Sequence, residues 1–296
     1  MKILITGGRG FIGRMLIEKL KEKGHNVATL SRSQTDIQSN IFSYDSDEIL
    51  KFIGEEAYAI INLAGENISS KKWSVKQKKV ILDSRLNATK LCKKIIDKSG
   101  RPPELFIQGS AIGYYGFDSK GFKNEKSSAG TGFLAEVTQK TEKYAAESVN
   151  TSRMIFLRTG VVLSKNGGAL KKLLLPFRFF AGGKIGTGQQ WFSWIHHEDY
   201  INAIIFLIEN KSSSGIYNLT APRAVTQGML AKSVGRILHR PAIFPVPGFV
   251  LKLIFGLMAK EVLLGGQRVI PERLIDEGFD FRFPEIDEAL KNILNK

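Results

Sequence analysis

The chain has 296 residues, 43% hydrophobic and 24% charged, enough to close one large domain or two modest ones around cores of their own. Its single cysteine, Cys92, excludes an internal disulfide framework and a cysteine-rich zinc site, which suits a reducing cytoplasm, and no apolar run nears the roughly 20 residues that cross a bilayer. A net charge of +15 favours anionic ligands, yet the lysines are spread along helical stretches such as 71–79, with no RNA-recognition aromatic motif, zinc spacing or arginine-rich tail, so nucleic acid is not the expected partner.

In chain order, short β-rich runs alternate with longer amphipathic ones: Lys2–Thr6, Phe11–Lys23, Asn26–Leu30, Ile49–Gly54, Ala57–Leu63, Val75–Asp97, Leu105–Gly109, Phe133–Val149 and Arg153–Leu157. The opening apolar run, Ile3 to Ile5, is too short for a signal peptide. Such alternation predicts βαβ units and a parallel sheet covered on both faces, an α/β fold of the doubly wound Rossmann kind. Beyond residue 215 the pattern turns helix-rich and is punctuated by Pro241, Pro245, Pro247, Pro271 and Pro284. The expected division is a dinucleotide-binding domain over 1–215 and a smaller C-terminal substrate lobe over 216–296, with an insertion near 165–195 reaching into that lobe. The most apolar late segment, Phe249 to Met258, carries Lys252 and is read as a packed helix, so no membrane partner is expected.

The first turn carries the clearest chemistry. In "ILITGGRGFIG", Gly7, Gly8, Gly10 and Gly13 follow a strand directly and open a helix bearing Phe11, Ile12 and Leu16. Gly7 permits the tight turn, Gly10 lets backbone approach a pyrophosphate, and Gly13 lets the helix sit against the strand. The diphosphate would rest on the helix N-terminus, where unsatisfied N–H groups and the dipole favour an anion.

The end of the second strand selects the dinucleotide. An acid there would bind the ribose 2′-OH of NAD, but Ser31 and Arg32 stand in its place and the nearest acid is Asp36. Arg32, helped by Arg9 inside the glycine turn, suits a 2′-phosphate. At about 1.5 kcal/mol for each charge-assisted bond, two would favour NADP(H) over NAD on the order of a hundredfold.

These residues resemble an extended short-chain dehydrogenase/reductase. The glycine turn is similar to that family's T-G-x-x-G-F-I-G, "INLAG" (61–65) to the motif closing its fourth strand, and "QGSAIGYYG" (108–116) to its S-S-x-x-V-Y-G. More narrowly, "NLAGENI", "GTGQQWFSWIHHED", "YNLTAP", "LLGGQRVIPERL" and "GFDFRFP" resemble the NAD-dependent epimerase/dehydratase subgroup that carries a C-terminal domain of unknown function. The resemblance implies that Leu63, Ala64 and Gly65 lie beside the nicotinamide-side ribose and that Arg158 makes cofactor or substrate contacts. It implies a small-molecule substrate, oxidised, reduced or epimerised at a secondary alcohol or carbonyl, with a nucleotide sugar or other anionic metabolite as the class. It also leaves room for a homodimer.

The family's proton-transfer pair, Tyr-x-x-x-Lys, is missing. None of the seven tyrosines has a lysine four residues on, and aligning Glu142 with the family's usual glutamate puts Leu134 at the tyrosine position and Thr138 at the lysine position. The catalytic serine position falls on Ala111, with Ser110 one place early. A positioned acid or base is worth about 10²- to 10⁴-fold, so three readings stand. Either Tyr114 or Tyr115, assisted by Ser110, substitutes at the nicotinamide edge, or the two tyrosines simply pack under the substrate lobe, or the protein binds NADPH without turning it over, as a sensor or scaffold. Asn67, Arg85, Gln190 and Trp191 are the candidate substrate contacts. His196 and His197 are read as a helix start rather than a metal site, and no metal is expected. "LLGGQRVIP" has no chemical role at this level.

Overall fold

The computed structural model describes residues 1–32, 35–149, 151 and 153–294. The first half runs β1 (Lys2–Thr6), α1 (Phe11–Glu22), β2 (Asn26–Ser31), β3 (Ile41–Ser43), α2 (Glu48–Ile53), β4 (Tyr58–Asn62), α3 (Val75–Ser99), β5 (Leu105–Ala111), a 3₁₀ turn (Ile112–Tyr115), β6 (Asp118–Lys123) and α4 (Phe133–Ser148). The second runs β7 (Met154–Thr159), β8 (Val161–Leu163), α5 (Gly168–Arg178), β9 (Trp191–Phe192), β10 (Trp194–His196), α6 (His197–Glu209), β11 (Gly215–Leu219), β12 (Val225–Thr226), α7 (Gln227–Leu238), α8 (Gly248–Phe255), a π turn (Ala259–Leu263), β13 (Gly266–Val269), α9 (Glu272–Asp276) and α10 (Ile286–Leu294).

Seven strands form one parallel sheet in the order β11-β7-β5-β4-β1-β2-β3. Strand periodicity explains how both faces are covered. Ile3 and Ile5 of β1, Ala59 and Ile61 of β4 and Leu105 and Ile107 of β5 join one buried cluster with α1 and α6. Leu4, Ile60 and Phe106, one residue out of phase, join the opposite cluster with α2 and α3, where Cys92 is wholly buried. This is the doubly wound Rossmann architecture. The order reverses between β1 and β4, so their carboxyl ends open the crevice where such folds place ligands.

The sheet continues past the boundary expected at residue 215, because β11 pairs with β7 from Gly215↔Ile155 to Leu219↔Thr159. "GIYNL" is thus an edge strand, which follows the apolar helix α6 and adds one more parallel strand to the sheet. A second core lies beyond the sheet, where Leu170, Leu174 and Phe177 of α5 meet Leu230 and Val234 of α7, Leu290 of α10 and the buried Trp194. Asp199 at the start of α6 ties the chain's tail to this seam by accepting from the backbone N–H groups of Arg282 (3.0 Å) and Phe283 (2.9 Å). Among the described residues no helix is long and apolar enough to cross a membrane.

Candidate functional site

The crevice at the switch point widens into a cavity of about 590 Å³. Its floor is the β1–α1 turn. Gly7 has φ +72°, and a Cβ there would sit 3.0 Å from the Leu63 carbonyl. A Cβ on Gly13 would lie 2.3 Å from the Gly7 oxygen, so the first turn of α1 rests on the loop at a separation only hydrogen permits. Gly10 caps α1 with no side-chain bond, and the helix has no acid in its first turn. The amides of an uncapped helix start therefore face the crevice, which is the electrostatic requirement for a diphosphate. A Cβ on Gly10 would meet only the Gly7 oxygen, at 3.1 Å, leaving its other side open.

A buried polar network holds this floor. Thr6 donates to Asn62 Oδ1 (2.6 Å) and accepts from the Ala64 N–H (3.0 Å), while Asn62 Nδ2 donates to Thr89 (3.1 Å) and Gln108 (3.0 Å). The bonds clip the end of β1 to the end of β4, fixing Leu63, Ala64 and Gly65 against the glycine turn. Sequence reading passed over Thr6, Asn62, Thr89 and Gln108. Their signal was the presence of polar residues inside apolar strand and helix runs, where an unpaired amide would be costly.

At the end of β2, Ser31 is buried, while Arg32 and Arg9 are exposed. Asp36, the acid that could have mimicked an NAD-type contact, turns back on its own loop, accepting from the Ser39 hydroxyl (2.7 Å), and that bond holds its carboxyl below the usual range.

The opposite wall is formed by Ala111, Ile112 and Gly113 after β5 and by Leu134, Val137 and Thr138 of α4. The three positions aligned with the family's serine, tyrosine and lysine thus meet on one surface, occupied by Ala111, Leu134 and Thr138. Thr138 spends its hydroxyl on the Leu134 carbonyl (2.9 Å) and the Ala135 carbonyl (3.0 Å). Among the described residues lining the cavity, Glu66, Arg85 and Glu261 carry charge, and there is no lysine, histidine or tyrosine.

Ser110 lines a recess of about 180 Å³ beside the cavity, with Arg85, Thr141, Thr159 and Tyr200. Its hydroxyl donates to Glu142 Oε1 at 2.6 Å. Tyr200, hydrogen-bonding range from Thr159 at 3.3 Å, has its phenol pushed up to about 12 by burial. The two remaining expected residues lie behind the wall. Arg158, 1% exposed, donates to Glu142 through Nε (3.0 Å) and Nη2 (2.8 Å) and to the Tyr115 hydroxyl (3.2 Å). Burial alone would lower the Arg158 pKa, but the bond and charge of Glu142 raise it above the ordinary guanidinium range. Tyr114 does not line the cavity or the recess, and the Arg158 guanidinium stacks 3.3 Å over its ring.

The lobe supplies the rest of the lining. Gln190, Trp191, Phe192 and Ser193 approach from β9, and Glu261, Leu263 and Gln267 from the π turn and β13. This gives "LLGGQRVIP" a place: its first half closes the cavity from above. Gln190 uses its amide on the carbonyls of Ile185 (3.0 Å) and Leu263 (2.9 Å), bracing that closure. Glu261 reaches across the domains, accepting from the Phe133 (2.9 Å) and Leu134 (3.0 Å) N–H groups and so capping α4 with a carboxylate from the lobe. Asn67 is exposed and accepts from the Ser69 N–H (2.8 Å), shaping its own turn. Arg85 donates to the Glu66 (3.1 Å) and Ile81 (2.9 Å) carbonyls, and burial pulls its pKa down against the charge of Glu66. His196, His197 and Glu198 have potential ligand atoms within 4.8 Å of one another, but they begin α6: His196 Nδ1 accepts from the Glu198 N–H (3.1 Å).

Comparison with known proteins locates this arrangement. Residues 3–220 match the NAD dependent epimerase/dehydratase family, and 246–293 match a domain of unknown function. The chain is 38% identical over 305 residues to the Arabidopsis thaliana epimerase family protein SDR39U1 homolog, chloroplastic, covering 99% of this chain and 87% of the relative. It is 35% identical to the Homo sapiens epimerase family protein SDR39U1, covering 99% of this chain and all of the relative. The structure of human SDR39U1 (isoform 2) with NADPH superposes with a TM-score of 0.91 at 35% identity over 100% of both chains. A nucleoside-diphosphate sugar epimerase from Corynebacterium glutamicum gives 0.77 at 28% identity, over 99% of this chain and 58% of that one.

Proposed function

The chain belongs to the NAD dependent epimerase/dehydratase family, and from that premise we propose that it is an NADP(H)-binding protein whose cavity admits a second small molecule but which lacks the family's fast proton-transfer pair. The glycine turn of Gly7, Gly8, Gly10 and Gly13, with the amides of Phe11 and Ile12, would seat the diphosphate. Leu63, Ala64 and Gly65 would border the nicotinamide-side ribose, and Ser31, Arg9 and Arg32 would receive the 2′-phosphate. The human relative solved with NADPH supports the choice of dinucleotide. When bound, the cofactor supplies a hydride. The protein's own residues orient it and close the cavity over it.

The observation that carries this reading is the wall of Ala111, Leu134 and Thr138, which offers no phenol or ammonium to move a proton. This supports a regulatory or sensing role, in which occupancy by NADPH is the signal. A second reading, oxidation, reduction or epimerisation of an anionic metabolite such as a nucleotide sugar, is favoured by the position of Ser110 in the recess. In that reading Tyr114 would have to leave the Arg158 guanidinium to take part, while Asn67, Arg85, Gln190 and Trp191 would meet the substrate.

Fluorescence titration tests the core of the proposal. NADPH should bind about a hundredfold more tightly than NADH, and equal affinities would remove the assignment. Oxidation of NADPH with a panel of carbonyl compounds should stay at the background rate. Rapid turnover with any of them would replace the regulatory reading with the catalytic one.

A further inference from the structure

The segment expected to be a packed helix is buried on one side only. On α8, Leu251 faces inward, but Phe249 is 74% exposed and Leu253, one helical turn on, 85% exposed. They are not isolated. Phe179 and Phe180 at the end of α5 and Ile243 and Phe244 in the proline-rich loop before α8 are also exposed. These segments form one body: the Phe244 N–H donates to the Gly182 carbonyl (3.0 Å), the Val246 N–H donates to the Lys184 carbonyl (2.9 Å), and the Arg240 guanidinium lies 4.0 Å from the Phe180 ring centre. Exposure of six large apolar side chains on adjoining segments marks a place of contact.

Along the two segments that form it, the charge is of one sign. Residues 168–190 carry Lys171, Lys172, Arg178 and Lys184, residues 239–260 carry Arg240, Lys252 and Lys260, and neither segment has an aspartate or glutamate. All seven cations are exposed. A second copy of the same face would bring like charges together, so self-association is opposed. The apolar side chains project outward instead of walling a groove, since the hollow beside them, about 320 Å³, is lined by other residues, among them Leu173, Phe177, Leu251 and Phe255. Apolar tips ringed by long cationic side chains match a bilayer surface, where rings enter the acyl boundary and ammonium groups stay with anionic headgroups.

We propose that the face formed by the end of α5, the loop at 240–247 and α8 docks the protein reversibly on anionic lipid membranes. The contact is interfacial, with no crossing of the bilayer, and it rests on none of the cofactor assignments above.

Co-sedimentation with vesicles tests it. The full chain should sediment with phosphatidylcholine vesicles containing about a third phosphatidylglycerol, at least tenfold less with phosphatidylcholine alone, and progressively less as salt is raised. Phe249→Asp with Leu253→Asp should abolish sedimentation, whereas Ile37→Asp, also at an exposed apolar residue but beside β3 at an edge of the sheet, should not. An unchanged circular dichroism melting curve shows that the double variant is folded, and since both side chains are exposed no loss of the core is involved. Absence of sedimentation with anionic vesicles, or equal sedimentation of the double variant, would overturn the proposal. So would a dimer in analytical ultracentrifugation that the double variant dissolves, or binding to polyglutamate in preference to vesicles, which would assign the face to a second copy or to an acidic protein.

Discussion

At the β1–α1 end of the cavity every local feature favours an anion: an uncapped helix start, a first turn free of acids, and exposed Arg9 and Arg32 beside it. At the α4 end the same kind of helix, equally near the cavity, presents Leu134 and Thr138, and its N-terminal amides are already taken by Glu261. Of the ionisable groups of that region, Glu142 and Arg158 sit behind the wall as a pair, and Glu261 is held on the amides it caps. One end of the cavity thus leaves its helix amides open to an anion while the other has them already satisfied, and the contrast teaches that binding and proton transfer are separable duties in this fold.

The largest effect should come from the hidden pair. Glu142→Ala leaves the Arg158 guanidinium buried without its carboxylate, which should cost about 3–5 kcal/mol of stability in urea denaturation. Dinucleotide affinity should change little in protein that remains folded. A loss of NADPH binding out of proportion to the loss of stability would mean that Arg158 serves the cavity and would break the division between wall and interior. Next comes restoration of the missing pair. Leu134→Tyr with Thr138→Lys puts a phenol and an ammonium on the wall one helical turn apart and should raise NADPH oxidation with carbonyl compounds by about a hundredfold. No gain would mean that the wall's chemistry is not what limits turnover.

How far these two ends could be read beforehand differs for a physical reason. The glycine turn is local: close backbone approach and a positive φ demand glycine at fixed spacings, so Gly7 and Gly13 are legible in a string of letters. The absence of the dyad was legible too, because Leu134 and Thr138 sit at a countable distance from Glu142. What could not be read is which side of a strand end each side chain takes. Arg158 follows the apolar run of β7 and was assigned to the cavity, yet it points into the interior because Glu142 arrives there from α4, a tertiary meeting with no sequence spacing to announce it. Glu261 escaped notice for the same reason, since it caps a helix that begins more than a hundred residues earlier. β11 was missed as a sheet strand because edge placement is decided by pairing with β7, and α8 was read as packed because hydropathy counts apolar residues without saying which face finds a partner.

A smaller effect sharpens the anion-holding end. Arg32→Ala should weaken NADPH binding about tenfold, the value of one charge-assisted bond, and leave NADH unchanged. An equal loss for both dinucleotides would place Arg32 on the diphosphate or the adenine instead of the 2′-phosphate, while the floor itself, made of backbone, would keep its role.

The smallest effect lies away from both ends, in the seam where Asp199 receives the tail of the chain. Burial raises the Asp199 pKa, outweighing the lowering from its bonds to the Phe283 and Arg282 N–H groups. A carboxyl whose folded pKa lies above its unfolded one contributes stability that is fully present below the unfolded value and is lost as pH rises through the folded value. Asp199→Asn should therefore lower stability by about 1 kcal/mol through the lost hydrogen bond and, at the same time, remove one downward component of stability as pH rises from about 4 towards neutrality. Urea midpoints of both proteins across that range give the comparison, and parallel curves would show that the carboxyl titrates alike in both states.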